Sequence, residues 1–131
     1  MTMKKDSIYI SGPMTGYDDL NFPAFYQAVE VLHEAGWPRQ QIVNPARFPC
    51  EPRWEENLCR DLAVLAQECS TVFVLPGWME SEGAVGEVAV AQFLGMMVCD
   101  TVNEDYSLSA IKQEVIMALN LTPSPRRFER Q

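Results

Sequence analysis

A chain of 131 residues with 47% hydrophobic and 21% charged content matches an ordinary globular domain and is long enough for one core. Its formal net charge of -8 argues against general binding to nucleic acid polymers or anionic membranes, whose own negative charge would repel it. Its four cysteines form no CxxC pair, and no run approaches the roughly 18 apolar residues of a membrane span.

These limits predict a single domain over residues 1–121, followed by a loose tail over 122–131 with two prolines and three arginines. Met1 to Ser7 lacks the apolar stretch of a signal peptide. The expectation is therefore a cytoplasmic protein with free thiols and a small-molecule partner.

In chain order, Ser7-Ile-Tyr-Ile-Ser11 reads as a strand, and Gly12-Pro13-Met14-Thr15-Gly16 as a tight loop of the kind that faces a ligand. Asn21 is placed to cap a helix with Pro23 in its first turn, carrying an apolar stripe of Phe25, Ala28, Val29 and Leu32 and ending at Gly36. His33, on the flank of that stripe, reads as an ordinary edge histidine. Gln41 to Asn44 is a short second strand. The loop from Pro45 to Arg53, with three prolines and with Arg47 and Arg53 in it, is long enough to reach over a site.

A helix over Trp54 to Cys69 sets Trp54, Leu58, Leu62, Leu65 and Cys69 on one face, with Asp61 in the middle of that face. Asp61 is then either a structural acid paired with Arg60, Arg53 or backbone donors, or a functional group. The β-branched run Thr71 to Pro76 is the third strand. Ser81 and Glu82 open a helix whose residues Ala84, Val85, Val88 to Ala91, Phe93 and Leu94 leave almost no polar side, so it should be mostly buried. Glu87 falls among those apolar residues, and a carboxylate carried there needs a reason. Gly95 closes the helix, Met96 to Asp100 is a fourth strand, and Asp105 or Ser107 can cap a last helix using Leu108, Ile111, Val115 and Leu119. The alternation predicts a doubly wound α/β fold, a parallel sheet of four or five strands covered on both faces.

The first loop is neither GxGxxG nor a P-loop, no GxSxG elbow exists, and one histidine with scattered cysteines makes no metal cluster. What remains is two acids on apolar faces, Tyr9 on the first strand and a serine at a helix N-terminus. Such a set suits chemistry at a sugar anomeric carbon, where one carboxylate attacks or stabilises C1' and the second protonates the leaving group. The helix N-terminus is expected to keep Glu87 ionised as the nucleophile, and burial to keep Asp61 protonatable. Composition and spacing alone leave the two roles interchangeable.

The order Ile8-Tyr-Ile-Ser-Gly-Pro13, Asn44-Pro45, Arg60-Asp-Leu62 and Ser81-Glu-Gly-Ala-Val-Gly-Glu87 resembles the nucleoside 2-deoxyribosyltransferase superfamily. More narrowly, Tyr9 to Gly16 with Asp19-Leu-Asn-Phe-Pro-Ala-Phe25 is similar to a branch of small proteins common in bacteriophages and prophages, related to the nucleoside 5'-monophosphate N-glycosidases. The resemblance covers about residues 7 to 100. It implies a flavodoxin-like, three-layer α/β/α domain, N-glycosidic bond chemistry without a cofactor, and a homodimer or larger homo-oligomer. By position it makes Glu87 the nucleophile, Asp61 the acid near the base and Tyr9 the group that orients the nucleophile. Gly12, Pro13, Met14, Asn44, Ser81 and Gly83 become substrate contacts.

Relatives acting on free nucleosides typically have aspartate at the position of Ser81, whereas those hydrolysing 5'-monophosphates have serine. A hydroxyl beside helix N–H groups is also a ready anion site, so Ser81 favours a nucleotide. Met14 and Thr15 stand where those hydrolases place a basic residue, which leaves phosphate neutralisation to Arg47, Arg53 or a partner subunit. Trp78 is placed either to stack on a base or to pack against the helix end or an interface. The alternative from another class is a nucleotide-binding or sensing protein that keeps the cleft without turnover.

Overall fold

The computed structural model describes residues 5–101 and 104–105. Its elements are β1 (Ser7–Ser11), α1 (Phe22–Glu34), β2 (Ile42–Val43), α2 (Trp54–Glu68), β3 (Cys69–Val74), α3 (Glu82–Phe93), β4 (Met97–Thr101) and β5 (Glu104–Asp105). The expected last helix and the tail lie outside the described residues, and so do the side chains proposed for them. Among the described residues no helix is long and apolar enough to cross a membrane.

The strands form one sheet in the order β2-β1-β3-β4-β5. β1 runs parallel to β2 and β3, and β3 parallel to β4, as short crossovers through helices require. β5 departs from the all-parallel expectation by pairing antiparallel with β4. Only two residues separate it from β4, too few for a crossover, so the chain can only turn back.

Strand alternation divides the core into two layers. On one side Ile8 and Ile10 of β1, with Phe73 and Cys99, pack on Phe25, Ala28 and Leu32 of α1. On the other side Tyr9, Val72, Val74 and Val98 meet Leu65 of α2 and Val85, Val88 and Ala91 of α3. The result is a three-layer α/β/α domain. α3 is less buried than its composition predicts: Ala84, Val85, Glu87, Val88 and Ala91 face inward, but Phe93 is 89% exposed and Leu94 is also exposed. One face of the helix meets the sheet, and Phe93 stands about 140° around the helix from Val88, on the far side.

Two helix ends follow the expected chemistry. Ser81 Oγ accepts the Ala84 N–H at 3.2 Å, and Gly95 takes a positive φ of 79° just past α3. The start of α1 does not. Asn21 makes no side-chain cap; it adopts φ 61°, continuing a left-handed run through Asp19 and Leu20, and its Nδ2 donates instead to the Pro13 carbonyl at 3.0 Å. Its amide ties the first loop to the start of α1 rather than closing the helix.

Candidate active site

Because helices return antiparallel to the strands, the end of β1, the start of α3 and the N-terminal half of α2 all face the carboxyl edge of the sheet, where open α/β folds bind ligands. A cleft of about 920 Å³ opens there. Its floor and walls include Gly12, Pro13 and Met14 after β1, Asp61 of α2, and Ser81, Gly83 and Glu87 at α3.

Period-2 geometry supports the floor from beneath: Glu87 lines the cleft, whereas Tyr9 and Ser11 are fully buried behind it. Tyr9 and Ser11 are two residues apart on β1, so both side chains leave the same face of the sheet, toward α3. Helical spacing brings Glu87 to meet them, since it shares the inward face with Ala84, Val88 and Ala91. The Tyr9 hydroxyl donates to Glu87 Oε2 at 2.8 Å and the Ser11 hydroxyl to Oε1 at 2.6 Å. All three residues are buried, Glu87 to 6% exposure.

Burial pushes the Glu87 carboxyl up to about 7, against the two hydroxyl hydrogen bonds and with the nearby Asp61 charge adding to it. This reverses the expectation that the helix N-terminus keeps Glu87 ionised. The residue lies more than a turn into α3, where the end effect has faded, and desolvation wins. The Tyr9 hydroxyl is held well above its ordinary value, first by burial and then by the Glu87 and Asp61 charges, so it stays a donor.

Asp61 lines the same cleft with its side chain 16% exposed. Its Oδ1 accepts Arg60 Nε at 3.2 Å and Nη2 at 3.1 Å. Burial nevertheless raises its proton affinity, with the Arg60 guanidinium and then the Tyr9 hydroxyl pulling the other way. The pairing of Asp61 with Arg60 and its place beside Glu87 are therefore both realised. Arg60 also donates to the Pro49 carbonyl, and its guanidinium stands 5.0 Å from the centre of the Phe48 ring.

Around this floor runs an irregular rim. Asn57 fastens the loop before α2, accepting the Glu51 N–H at 2.9 Å and donating to the carbonyls of Glu51 at 3.2 Å and Arg53 at 2.9 Å. Phe48, Trp54, Tyr17 and Leu20 add apolar surface to the walls. Gly12 is required by packing rather than by turning, because a Cβ there would lie 2.8 Å from Leu75 Cβ.

Two expected contacts lie elsewhere. Trp78 is 3% exposed, packs in the core with Ala84, Val85 and Val88 of α3 and does not line the cleft, so packing against the helix is the one of its two expected placements that is realised. Asn44 is buried at the end of β2, where its Oδ1 accepts the Ala46 N–H at 3.0 Å, and it too is absent from the cleft wall. Its Nδ2 is a buried donor without a hydrogen-bond partner among the described residues. Arg47 and Arg53 do not line the cleft either, and Arg53 turns to Glu56 at 3.8 Å. Ser11 is the functional neighbour absent from the expected set, and the strand parity it shares with Tyr9 is the signal for it; Arg60, expected as a partner of Asp61, takes that place.

Among the described residues no group of three or more His, Cys, Asp or Glu side chains converges to hold a metal ion. The arrangement is thus a carboxyl poised to gain or lose its proton near neutrality, fixed by two hydroxyls, with a second acid on the same cleft.

Fold and site together define an open α/β domain with a hydroxyl-clamped carboxyl at the carboxyl edge of its sheet. Residues 6–100 match the family described as domain of unknown function DUF4406, and the chain belongs to that family. No curated protein and no solved structure matches the chain.

Proposed function

We propose that the protein cleaves or transfers the N-glycosidic bond of a (deoxy)ribonucleoside or its 5'-monophosphate, with Glu87 as nucleophile. The observation that carries this reading is the Glu87 carboxyl at the cleft floor, with each oxygen held by a hydroxyl of β1. Resemblance of the Tyr9, Asp61 and Ser81–Glu87 segments to the nucleoside 2-deoxyribosyltransferase superfamily supports it and supplies the reaction class.

In this mechanism a Glu87 oxygen forms a bond to C1' as the bond from C1' to the base nitrogen breaks, and the electron pair leaves with the base. Asp61 delivers a proton to the departing base, an assignment that its raised proton affinity supports. Water or a second base then attacks C1', passes its proton to Asp61, and frees Glu87. Tyr9 and Ser11 hold the carboxylate in line and favour its charged form. Ser81 and Gly83 at the start of α3, and Gly12 to Met14 after β1, contact the substrate.

The same resemblance supports a homodimer or larger homo-oligomer. The test is incubation with a panel of nucleosides and 5'-monophosphates, followed by chromatography for released base. Release that disappears in Glu87→Gln is the expected result; absence of release from every compound contradicts the reading.

One observation favours a second reading, binding without turnover: at neutral pH a carboxyl near 7 is only partly ionised, and Asp61 is already engaged by Arg60. A binder is stabilised in a thermal-shift assay by a ligand that it leaves intact.

A further inference from the structure

The cleft has a charge pattern that sorts its candidate ligands. Acidic side chains from four directions line it: Glu51 from the rim loop, Asp61 from α2, Glu80 and Glu82 beside the start of α3, and Glu87 at the floor. Against them, among the described residues, stands one basic lining residue, Arg60. Three of its five N–H donors are directed at protein oxygens, Nε and Nη2 at Asp61 and Nη1 at the Pro49 carbonyl, and Nη1 also lies 4.0 Å from Glu51 Oε2. Ser81, the residue that favours a phosphate on sequence grounds, accepts the Ala84 N–H with its Oγ and keeps its hydroxyl proton to donate, but it is flanked by Glu80 and Glu82.

We infer that the cleft takes an unphosphorylated nucleoside and rejects the corresponding 5'-monophosphate, with Glu80 and Glu82 as the residues that set this selection. The inference rests on the nucleoside reading above and narrows it. A phosphate carries close to two negative charges near neutrality, and entering this cleft brings it toward the exposed acids Glu51, Glu80 and Glu82, whereas Asp61 is offset by Arg60 and Glu87 is only partly ionised. The N-terminus of α3 offers the equivalent of about half a positive charge, which several acidic side chains outweigh. An uncharged ribose 5' hydroxyl meets no such repulsion and finds acceptors in the same side chains.

The experiment measures thermal stabilisation and base release side by side, on the full chain, for a panel of ribo- and deoxynucleosides and their 5'-monophosphates. The expected result is a preference for nucleoside over monophosphate of about tenfold or more, equivalent to about 1.4 kcal/mol. Raising the salt to about 0.5 M shrinks it, because screening acts on the monophosphate alone. In the double variant Glu80→Gln, Glu82→Gln the monophosphate gains several-fold while the nucleoside value moves less. Equal or better use of monophosphates, or a preference indifferent to both salt and the double variant, overturns the inference. Base release without a preference overturns it while leaving the reaction standing. A preference in binding without base release upholds the selection and removes the reaction. No response to any compound overturns both.

Discussion

The floor and the rim of the cleft are built on different principles. Tyr9, Ser11 and Glu87 sit on β1 and α3, fully or nearly buried, and meet through two hydrogen bonds between faces that strand and helix periodicity turns toward each other. The rim segments, Tyr17 to Asn21 and Phe48 to Trp54, are mostly exposed and irregular, include three consecutive left-handed residues, and are fastened by amides such as Asn57 and Asn21. The difference separates two tasks. Reactive atoms need positions held within fractions of an ångström, which regular elements supply, whereas ligand choice is set by loops that vary in charge and shape.

Breaking the floor should have the largest effect. Glu87→Gln preserves the volume and removes the nucleophile, so base release should fall by at least about 10³-fold while the fold persists, as circular dichroism and turnover assays check. Ser11→Ala removes one of the two hydrogen bonds that oppose the burial-driven rise of Glu87. If Glu87 reacts ionised, turnover rises with pH through about 7 in the wild type. In Ser11→Ala that limb moves to higher pH with a loss of about tenfold at neutrality, and Ser11→Thr restores it; a uniform loss without displacement of the profile would mean a purely structural role.

Stability should carry the same signature. An unfolded glutamate titrates near about 4.3, whereas folded Glu87 titrates near about 7. A group with a higher proton affinity in the folded state contributes stability that is full below the unfolded value and lost as pH climbs through the folded one. Wild type should therefore weaken relative to Glu87→Gln between about pH 4.3 and 7, by on the order of a few kcal/mol. Denaturant midpoints across that range provide the check. The rim should respond least: Asn57→Ala frees the loop before α2 at a cost of about 1 kcal/mol in stability, raising KM more than it lowers kcat. An equal loss in both constants would make the rim part of the chemistry and erase the contrast with the floor.

Legibility in the sequence follows the same division. Glu87 was readable as a carboxylate on an apolar helix, because burial periodicity is local. Asp61 was readable as an acid on a buried face, but its arrival at the same edge depends on how α2 seats on the sheet, which no local pattern encodes. Phe93 and Leu94 differ from expectation for a related reason: an apolar side chain near a helix end can point inward or outward, and the packing of α3 exposes these two, whereas Trp78 takes the packed one of its two expected placements. Asn21 has the composition of a cap, but a left-handed backbone turns its amide toward Pro13. The rim residue Phe48 gives no signal because loops fixed by tertiary hydrogen bonds lack a period, and Trp54, legible as the start of α2, is half-exposed at the cleft wall where its helical period predicts burial.

The most direct measurement is peptide mass mapping of the acid-quenched protein after mixing with a nucleoside that releases base. The account predicts a glycosyl ester on the peptide that carries Glu87, absent from Glu87→Gln. Base release that persists in Glu87→Gln, with no sugar bound to any acidic side chain, would contradict it.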